Sequence, residues 1–376
     1  MCNFVAMNLP DKKLCELIDE LEQSSVSFAL YRLPWEKEPV LVLQREGALH
    51  TCAHLQGLNG KTGFVLAPFC PSEQHPVVII RADRKAEGWA EIADALASIG
   101  MAKPVKDRLT SDRYVPAYTR RDYGEAFGRF IQPLREGVFQ KLVLSRCETA
   151  SLPDTFSPLA TFVNACTSYP RMMISLVHTP VTGTWIGSTP EIILSAERGR
   201  WHTVSLAGTM PMNGEQMPEG WSLKNREEQM LVSAYLREVI GRIGFNLTEE
   251  GPYTARAGQV VHLKTDFFFN LEQTDNLGDV LSELHPTPAV CGLPRQKAYD
   301  FIESNEGYDR SYYAGIIGWL DSWGERTSLY VNLRCMQVSG KQAVFYAGGG
   351  ILPSSAEETE WEETRHKMDT MKRIIN

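Results

Sequence analysis

The segment FYAGGGILPSSAEETEWEETRHK near the C-terminus sets Gly348, Gly349 and Gly350 after an apolar run and before a glutamate-rich stretch. Lacking side chains, such residues let a backbone come close to a ligand and offer free amides to a carboxylate. Ser355 and Glu358 form a capping-box pattern that predicts a helix from about residue 356. On that helix Glu360, Glu363 and Lys367 share one face at i, i+3 and i+7. Glu357 and Glu358 are explained by the helix dipole, which favours acids in a first turn. Glu360 and Glu363 are less well explained that way, because Trp361, Met368, Met371 and Ile375 mark a helix packed against a core. Carboxylates so placed suit a metal ion or a charged substrate.

Four other segments set a reactive side chain among residues that would position it. In QKLVLSR, Lys141 opens an apolar strand. Alone it reads as a charge guarding a strand edge. As a general base it would have to be buried or placed beside other cations, either of which makes a lysine easier to deprotonate. In GSTPEIILS, Gly187 and Pro190 shape a turn that presents Glu191, a candidate acid or a turn carboxylate in water. In KNREEQMLV, Glu228 follows Lys224 by one helical turn, and ion pairing along the helix would account for both. The loop SELHPTPAVCGLPR is stiffened by its prolines and reads as a ligand-side loop.

Two further residues complete the set. His262, in VVHLKT, is equally a half-buried core histidine and a substrate contact. Arg334 stands inside the apolar run LYVNLRCMQV, where an unpaired charge is costly, and its planar fork suits a carboxylate. Together these residues supply a candidate base, a candidate acid, an anion-binding arginine and several carboxylates. Ligation by carboxylates alone selects Mg²⁺ over zinc. The implied substrate is a small anion bearing carboxylates.

The elements that must hold these residues are those of a globular chain of 376 residues, 43% hydrophobic and 22% charged. No apolar run approaches the roughly 18–20 residues that span a bilayer. The start, MCNFVAMNLPDKKLCELIDELEQ, lacks a cationic stretch followed by an apolar one and is not read as a signal peptide. Eight cysteines, at 2, 15, 52, 70, 147, 166, 291 and 335, show no zinc or disulfide spacing, so reduced thiols in a cytoplasm are expected. A net charge of −8 speaks against nucleic acid or an anionic membrane as partner.

Periodicity predicts helices over 12–23, 88–98, 120–136, 225–243, 276–283 and 295–303 besides the last one. Short strands are predicted over 26–32, 39–44, 49–54, 62–67 and 76–81. Later strands are KLVLSR, MMISLVH, TWIGS, EIILSA, WHTVSLA, VVHLKTDFFF, GIIGWLD, TSLYVNLRCMQV and QAVFYAGGG. Tight turns and helices both link these strands, which indicates α+β with large, mainly antiparallel sheets.

The segments KLVLSR, GSTPE, AGT, KxxxE, HL, HPTPAV, LR, AGGGI and ExxET, in that order, resemble the chorismate-utilising enzymes. These are the isochorismate and salicylate synthases and the large subunits of anthranilate and aminodeoxychorismate synthases. The resemblance runs from about residue 115 to the end and is diffuse over 1–114, which in the family vary in sequence while completing one fold. It implies a single unit over 1–376, with two large antiparallel sheets and helices outside. It assigns Lys141 as the base that activates water for attack at C2 of chorismate, and Glu191 as the acid that protonates the leaving C4 hydroxyl. Glu228 and Glu363 become ligands of Mg²⁺, with Glu360 and Glu227 nearby. Arg334, Tyr313 and the amides of Gly348 and Gly349 would hold the enolpyruvyl carboxylate, while Thr209 and His262 line the ring.

Two positions depart from the family pattern: Gln229, where a histidine is common, and Asn225, where some members carry glutamate. Within the family, Lys141 implies water as nucleophile, since the ammonia users carry an uncharged residue there and pair with a glutaminase. None is expected here. Ala289 and Val290 in the proline-rich loop favour isochorismate synthase over salicylate synthase. The remaining alternatives are an ammonia-using synthase and a non-catalytic homologue.

Overall fold

The computed structural model describes residues 10, 12–21, 24–97, 118–212, 216–218, 220–258, 260–323 and 326–375. The boundary expected at 114/115, the predicted helix ends at 22, 23 and 98, and Cys2 lie outside them. The chain begins with α1 (Lys12–Leu21), β1 (Ser27–Arg32), β2 (Val40–Gln44), β3 (His50–Cys52), β4 (Thr62–Ala67), β5 (Val77–Ile80), β6 (Arg84–Glu87) and α2 (Gly88–Ala97). It continues with α3 (Arg120–Arg135), β7 (Lys141–Ser151), α4 (Pro158–Ser168), β8 (Met173–Thr179), β9 (Gly183–Thr189), β10 (Ile192–Glu197) and β11 (Arg200–Pro211). Next come α5 (Leu223–Ile243), β12 (Phe245–Ala257), β13 (Val260–Asn270), α6 (Leu277–Leu284), β14 (Gly292–Leu293) and α7 (Arg295–Asn305). The last elements are β15 (Ile316–Asp321), β16 (Arg326–Val331), β17 (Cys335–Ser339), β18 (Gln342–Ile351) and α8 (Glu357–Lys372).

These strands form two antiparallel sheets of nine, as the α+β reading requires. The first runs β14-β7-β18-β17-β9-β8-β1-β2-β6 and the second β12-β13-β11-β10-β16-β15-β4-β5-β3. Strands from the first 97 residues complete one end of each. Alternate residues of β1 serve two cores: Ala29 and Tyr31 pack with the second sheet, Phe28 and Leu30 with α1, α2, α4 and α8. No helix among the described residues is long and apolar enough to cross a membrane. Every described cysteine is a free thiol.

Two of the short crossovers between the sheets bear on the site, from β9 to β10 through Glu191 and from β16 to β17 through Arg334. The run TSLYVNLRCMQV, expected as one strand, is therefore two. Arg334 sits between them with φ +43 rather than inside a strand. Hydrogen bonds lock the crossovers together: Thr189 Oγ1 donates to Val331 O at 2.6 Å, Val331 N to Glu191 O at 2.9 Å, and Ser188 N to Arg334 O at 3.1 Å. β12 was not foreseen, because FNLTEEGPYTARA is polar, mostly exposed and interrupted by Gly251–Pro252. An edge strand needs only one partner, and β13 provides it.

Candidate active site

The cleft lies where the crossovers meet β18, and it encloses about 520 Å³ of empty space, its open mouth included. Its lining contains Glu191, Thr209, Glu228, His262, Ala289, Val290, Tyr313, Arg334, Lys367 and Gly348–Gly350. Most residues expected from the sequence are thus brought together. Glu227 is not: it points to solvent, while Glu228 beside it is buried. Successive helical residues are turned by about 100°, so only one of the pair can face the cleft.

Helix α5 turns its buried face into two uses. Glu228 reaches the cleft, Asn225 and Gln229 hydrogen-bond to β11 beside it, and Val232, Leu236, Val239 and Ile240 anchor the rest in the core. Ser222 caps the helix by accepting from Asn225 N at 3.2 Å. The AGT segment, a register shift within β11, packs on it: Gly208 has φ +71, and a Cβ there would stand 2.9 Å from Asn225 O. Asn225 supports this segment through its backbone and through its side-chain amide, which donates to Thr209 O at 3.5 Å.

Three carboxylates line up with three lysines. Glu228 Oε1 is 2.9 Å from Lys141 Nζ, which is wholly buried. Lys224 pairs with Glu360 on α8 rather than with Glu228 on its own helix. Lys367 Nζ donates to Glu363 Oε1 at 2.7 Å and to Gly348 O at 2.8 Å. Burial pushes Glu228 up, but Lys141, with Lys224 and Lys367 behind it, outweighs burial and holds the carboxyl below its usual range. Glu360 goes the other way, raised by burial and by its neighbour Glu363.

The three carboxylates converge on two glycines. A Cβ on Gly349 would stand 3.3 Å from Glu363 and 3.4 Å from Glu360, and one on Gly350 would stand 2.1 Å from Glu228. Glu360 Oε2 is buried without a partner. Among the described residues no three acidic, histidine or cysteine groups form a ready-made metal cage, since each acid is turned onto its lysine. The donor set, hard oxygens around an orphaned carboxylate oxygen, nevertheless fits a cation such as Mg²⁺.

The glycines differ from the expected nest. They lie within β18 opposite Ser145, Leu144 and Val143. Ser145 N donates to Glu306 at 2.7 Å and Val143 N to Cys291 O at 2.7 Å, so Gly348 and Gly350 are at non-hydrogen-bonded positions of the ladder. Their amides face away from β7, whereas Gly349 faces Leu144. Of the two amides expected to hold an anion, Gly348 has the required direction and Gly349 does not. Nor does the capping box form: Ser355 Oγ accepts from Leu352 N at 3.1 Å, and Ala356 is the cap residue.

On the other wall Glu191 is buried, and loss of water pushes it up to about 7 although Arg334, Lys141 and Lys367 pull it down. Arg334 Nη2 donates to His262 Nε2 at 2.7 Å. An arginine only donates, so the ring is neutral with its proton on Nδ1, 3.1 Å from Gly208 O. Burial and the adjacent Arg334 hold His262 well below its ordinary value. Thr209 Oγ1 lies 3.2 Å from the same nitrogen. Arg334 Nε has no partner and is free for an anion. The Tyr313 hydroxyl would be 3.0 Å from a Cβ on Gly348, so glycine is what lets the two approach.

Sequence reasoning missed a brace behind this wall. Glu306 and Arg310 are buried partners, with Arg310 Nε 2.6 Å from Glu306 Oε2. Arg310 also donates to Val290 O at 2.8 Å and Val143 O at 2.9 Å, and its carbonyl accepts from Tyr313 N at 2.9 Å. The signal was present as opposite charges four residues apart in NEGYDRSYYAG.

A family model described as "Chorismate binding enzyme" matches residues 77–376. The chain is 31% identical over 208 residues to the isochorismate synthase EntC of Escherichia coli (strain K12), covering 53% of each. It is 28% identical over 268 residues to the salicylate biosynthesis isochorismate synthase of Pseudomonas aeruginosa, covering 69% of this chain and 56% of that one. The chain thus spans about half the length of the curated relatives it matches. The structure of the menaquinone-specific isochorismate synthase MenF from Escherichia coli superposes with a TM-score of 0.77 at 22% identity, over 99% of this chain and 93% of that one.

Proposed function

The chain belongs to the chorismate binding enzymes, and on that premise we propose that it is an isochorismate synthase, an isomerase that requires Mg²⁺. The observation that carries this reading is a wholly buried lysine, Lys141, in a site that also holds Glu191, a carboxyl raised to about 7. An acid poised near neutrality can donate a proton and take it back at working pH. Lys141 Nζ, an ammonium while it pairs with Glu228, acts as the neutral amine when it takes a proton from the water that bonds to C2 of chorismate. Both ring double bonds shift by one place, and the C4 hydroxyl leaves with the proton of Glu191 as water. One water enters and one departs, so the sum is an isomerisation.

Arg334, the Gly348 amide and Tyr313 hold the enolpyruvyl carboxylate, and the neutral His262 with Thr209 lines the ring. Glu228, Glu360 and Glu363 would hold the metal ion, which supplies positive charge for the ring carboxylate. In this reading the chain works as one unit, with residues before 115 completing both sheets. Water is the nucleophile, so no glutaminase subunit is needed.

The test is incubation with chorismate and Mg²⁺ near neutral pH, with products followed by chromatography. The same mixture of chorismate and isochorismate is expected from either side, with no turnover in excess chelator. Salicylate and pyruvate rising as fast as chorismate falls would make the protein a salicylate synthase. Anthranilate formed from added ammonia would remove the role given to Lys141.

A further inference from the structure

A second cavity, enclosing about 1080 Å³ of empty space with its open mouth included, opens between the N-terminal half of α5 and the β12–β13 hairpin. The ladder there shifts register between Glu250 and Tyr253, and the intervening Gly251 and Pro252 form part of the cavity wall. Trp221, Met230, Tyr253 and Leu263 make the rest of it apolar. The Trp221 indole N–H is spent on Thr254 Oγ1 at 2.9 Å and the Tyr253 hydroxyl on Asp266 at 2.5 Å. What these two rings offer a ligand is their apolar surface. Met230 stands exposed at the rim.

Two arginines line the same space. Arg237 is committed to Glu249 by bonds of 2.7 and 2.9 Å. Arg226 is not: among the described residues no hydrogen bond or ion pair holds its guanidinium. An apolar slot with ring surfaces and one uncommitted guanidinium is complementary to a planar apolar body carrying a single carboxylate.

The inner wall includes Gln229, whose hydrogen-bond partner Ala207 lines the cleft. Gln229 Oε1 accepts from Ala207 N at 3.0 Å, and its Nε2 donates to Ser205 Oγ at 2.7 Å and Thr265 Oγ1 at 3.2 Å. Ala207 leads into the register shift at Gly208 and Thr209, and Glu228 precedes Gln229 in the chain. We propose that this cavity is a second ligand site, for an aromatic monocarboxylate, and that its occupancy reaches the cleft through Gln229.

Benzoate serves as the probe and benzamide as its neutral control, with binding to the full chain read by ligand-detected NMR. Saturable binding of benzoate is expected, weakened about tenfold by Arg226→Ala and about tenfold for benzamide, the scale of one charge-assisted hydrogen bond. Arg334→Ala, which alters only the chorismate cleft, should leave it unchanged. No saturable binding, equal binding of benzamide, or binding lost in Arg334→Ala but kept in Arg226→Ala would each overturn the site. This arm does not depend on the proposed activity. The transmission does rest on that reading: benzoate should change the rate of chorismate loss in the native enzyme, and Gln229→Leu should bind benzoate without that change. Benzoate bound to an active native enzyme with kcat and KM unmoved would overturn the transmission.

Discussion

Glu191 and Glu228 line one cleft and are similarly buried, at 3% and 8% exposure, yet their acidities move in opposite directions. Burial is the largest influence on both and pushes both up. At Glu228 an ammonium in contact reverses it, with Lys141 only 2.9 Å away. At Glu191 the cations act from further off, and the nearest arginine spends a donor on His262 instead. Burial therefore does not decide which carboxylate keeps its proton and which is ionised. The placement of one lysine does.

Removing that lysine should have the largest effect. Lys141→Ala deletes the proposed base and the counter-charge of Glu228 together, and a positioned proton-transfer group contributes roughly 10²–10⁴-fold. Losses of that size in kcat are expected for Lys141→Ala and for Glu191→Gln, with chorismate binding retained in the latter. Steady-state kinetics decides the matter. A Lys141→Ala enzyme keeping more than about a tenth of the rate, a penalty under about 1.4 kcal/mol, would end the assignment.

The contrast also has a signature in stability. The native carboxyl of Glu191 sits near 7 against 4.5 for the ordinary group. The folded state therefore holds its proton more tightly, and this stabilisation is complete below the unfolded value and lost as pH rises through the folded one. The loss amounts to about 3 kcal/mol. Glu191→Gln does not titrate, so between acidic and slightly alkaline pH its urea-unfolding free energy should fall less than that of the native protein by about this amount. Glu228 has the opposite sign: its stabilisation is present above the ordinary carboxylate value and disappears on acidification. Parallel pH profiles for the native protein and Glu191→Gln would show that Glu191 is not held protonated.

The smallest effect sharpens the comparison at the backbone. A Cβ at Gly350 would meet Glu228 Oε1 at 2.1 Å and Lys141 Cε at 3.0 Å, so Gly350→Ala must displace the ion pair. At Gly349 the closest approach is 3.3 Å, to Glu363. Overpacking typically costs about 1–3 kcal/mol of folding stability, which predicts a loss of about 2 kcal/mol in urea-unfolding free energy for Gly350→Ala and under about 1 kcal/mol for Gly349→Ala. The reverse order would mean that the Lys141–Glu228 pair does not rest on Gly350.

Much of this was legible in the chain. The apolar runs of β4, β5, β8 and β15 and the helix α3 follow from local periodicity, because each is packed on the pattern it displays. β12 was hidden because an exposed edge strand needs no apolar face. The break between β16 and β17 was hidden because residues on both sides are apolar and buried, and only their membership of different sheets distinguishes them. The Ser355 pattern misled because its hydroxyl serves the preceding turn.

The residue types came from the sequence alone: the lysine, the acids, the arginine and the glycines are chemically committed wherever the chain puts them. Their ordered segments also carried the resemblance to the family. What the residues do to one another was decided by the tertiary structure. Lys224 was expected beside Glu228, one turn away on its own helix, and instead meets Glu360, 136 residues distant. Lys141, free for any acid in the sequence, is taken by Glu228, and Glu191 is left without a partner for Oε1. Charge–charge coupling depends on separation and on exclusion of water. Both are set by the packing of two sheets and the helices over them, and no local spacing records either.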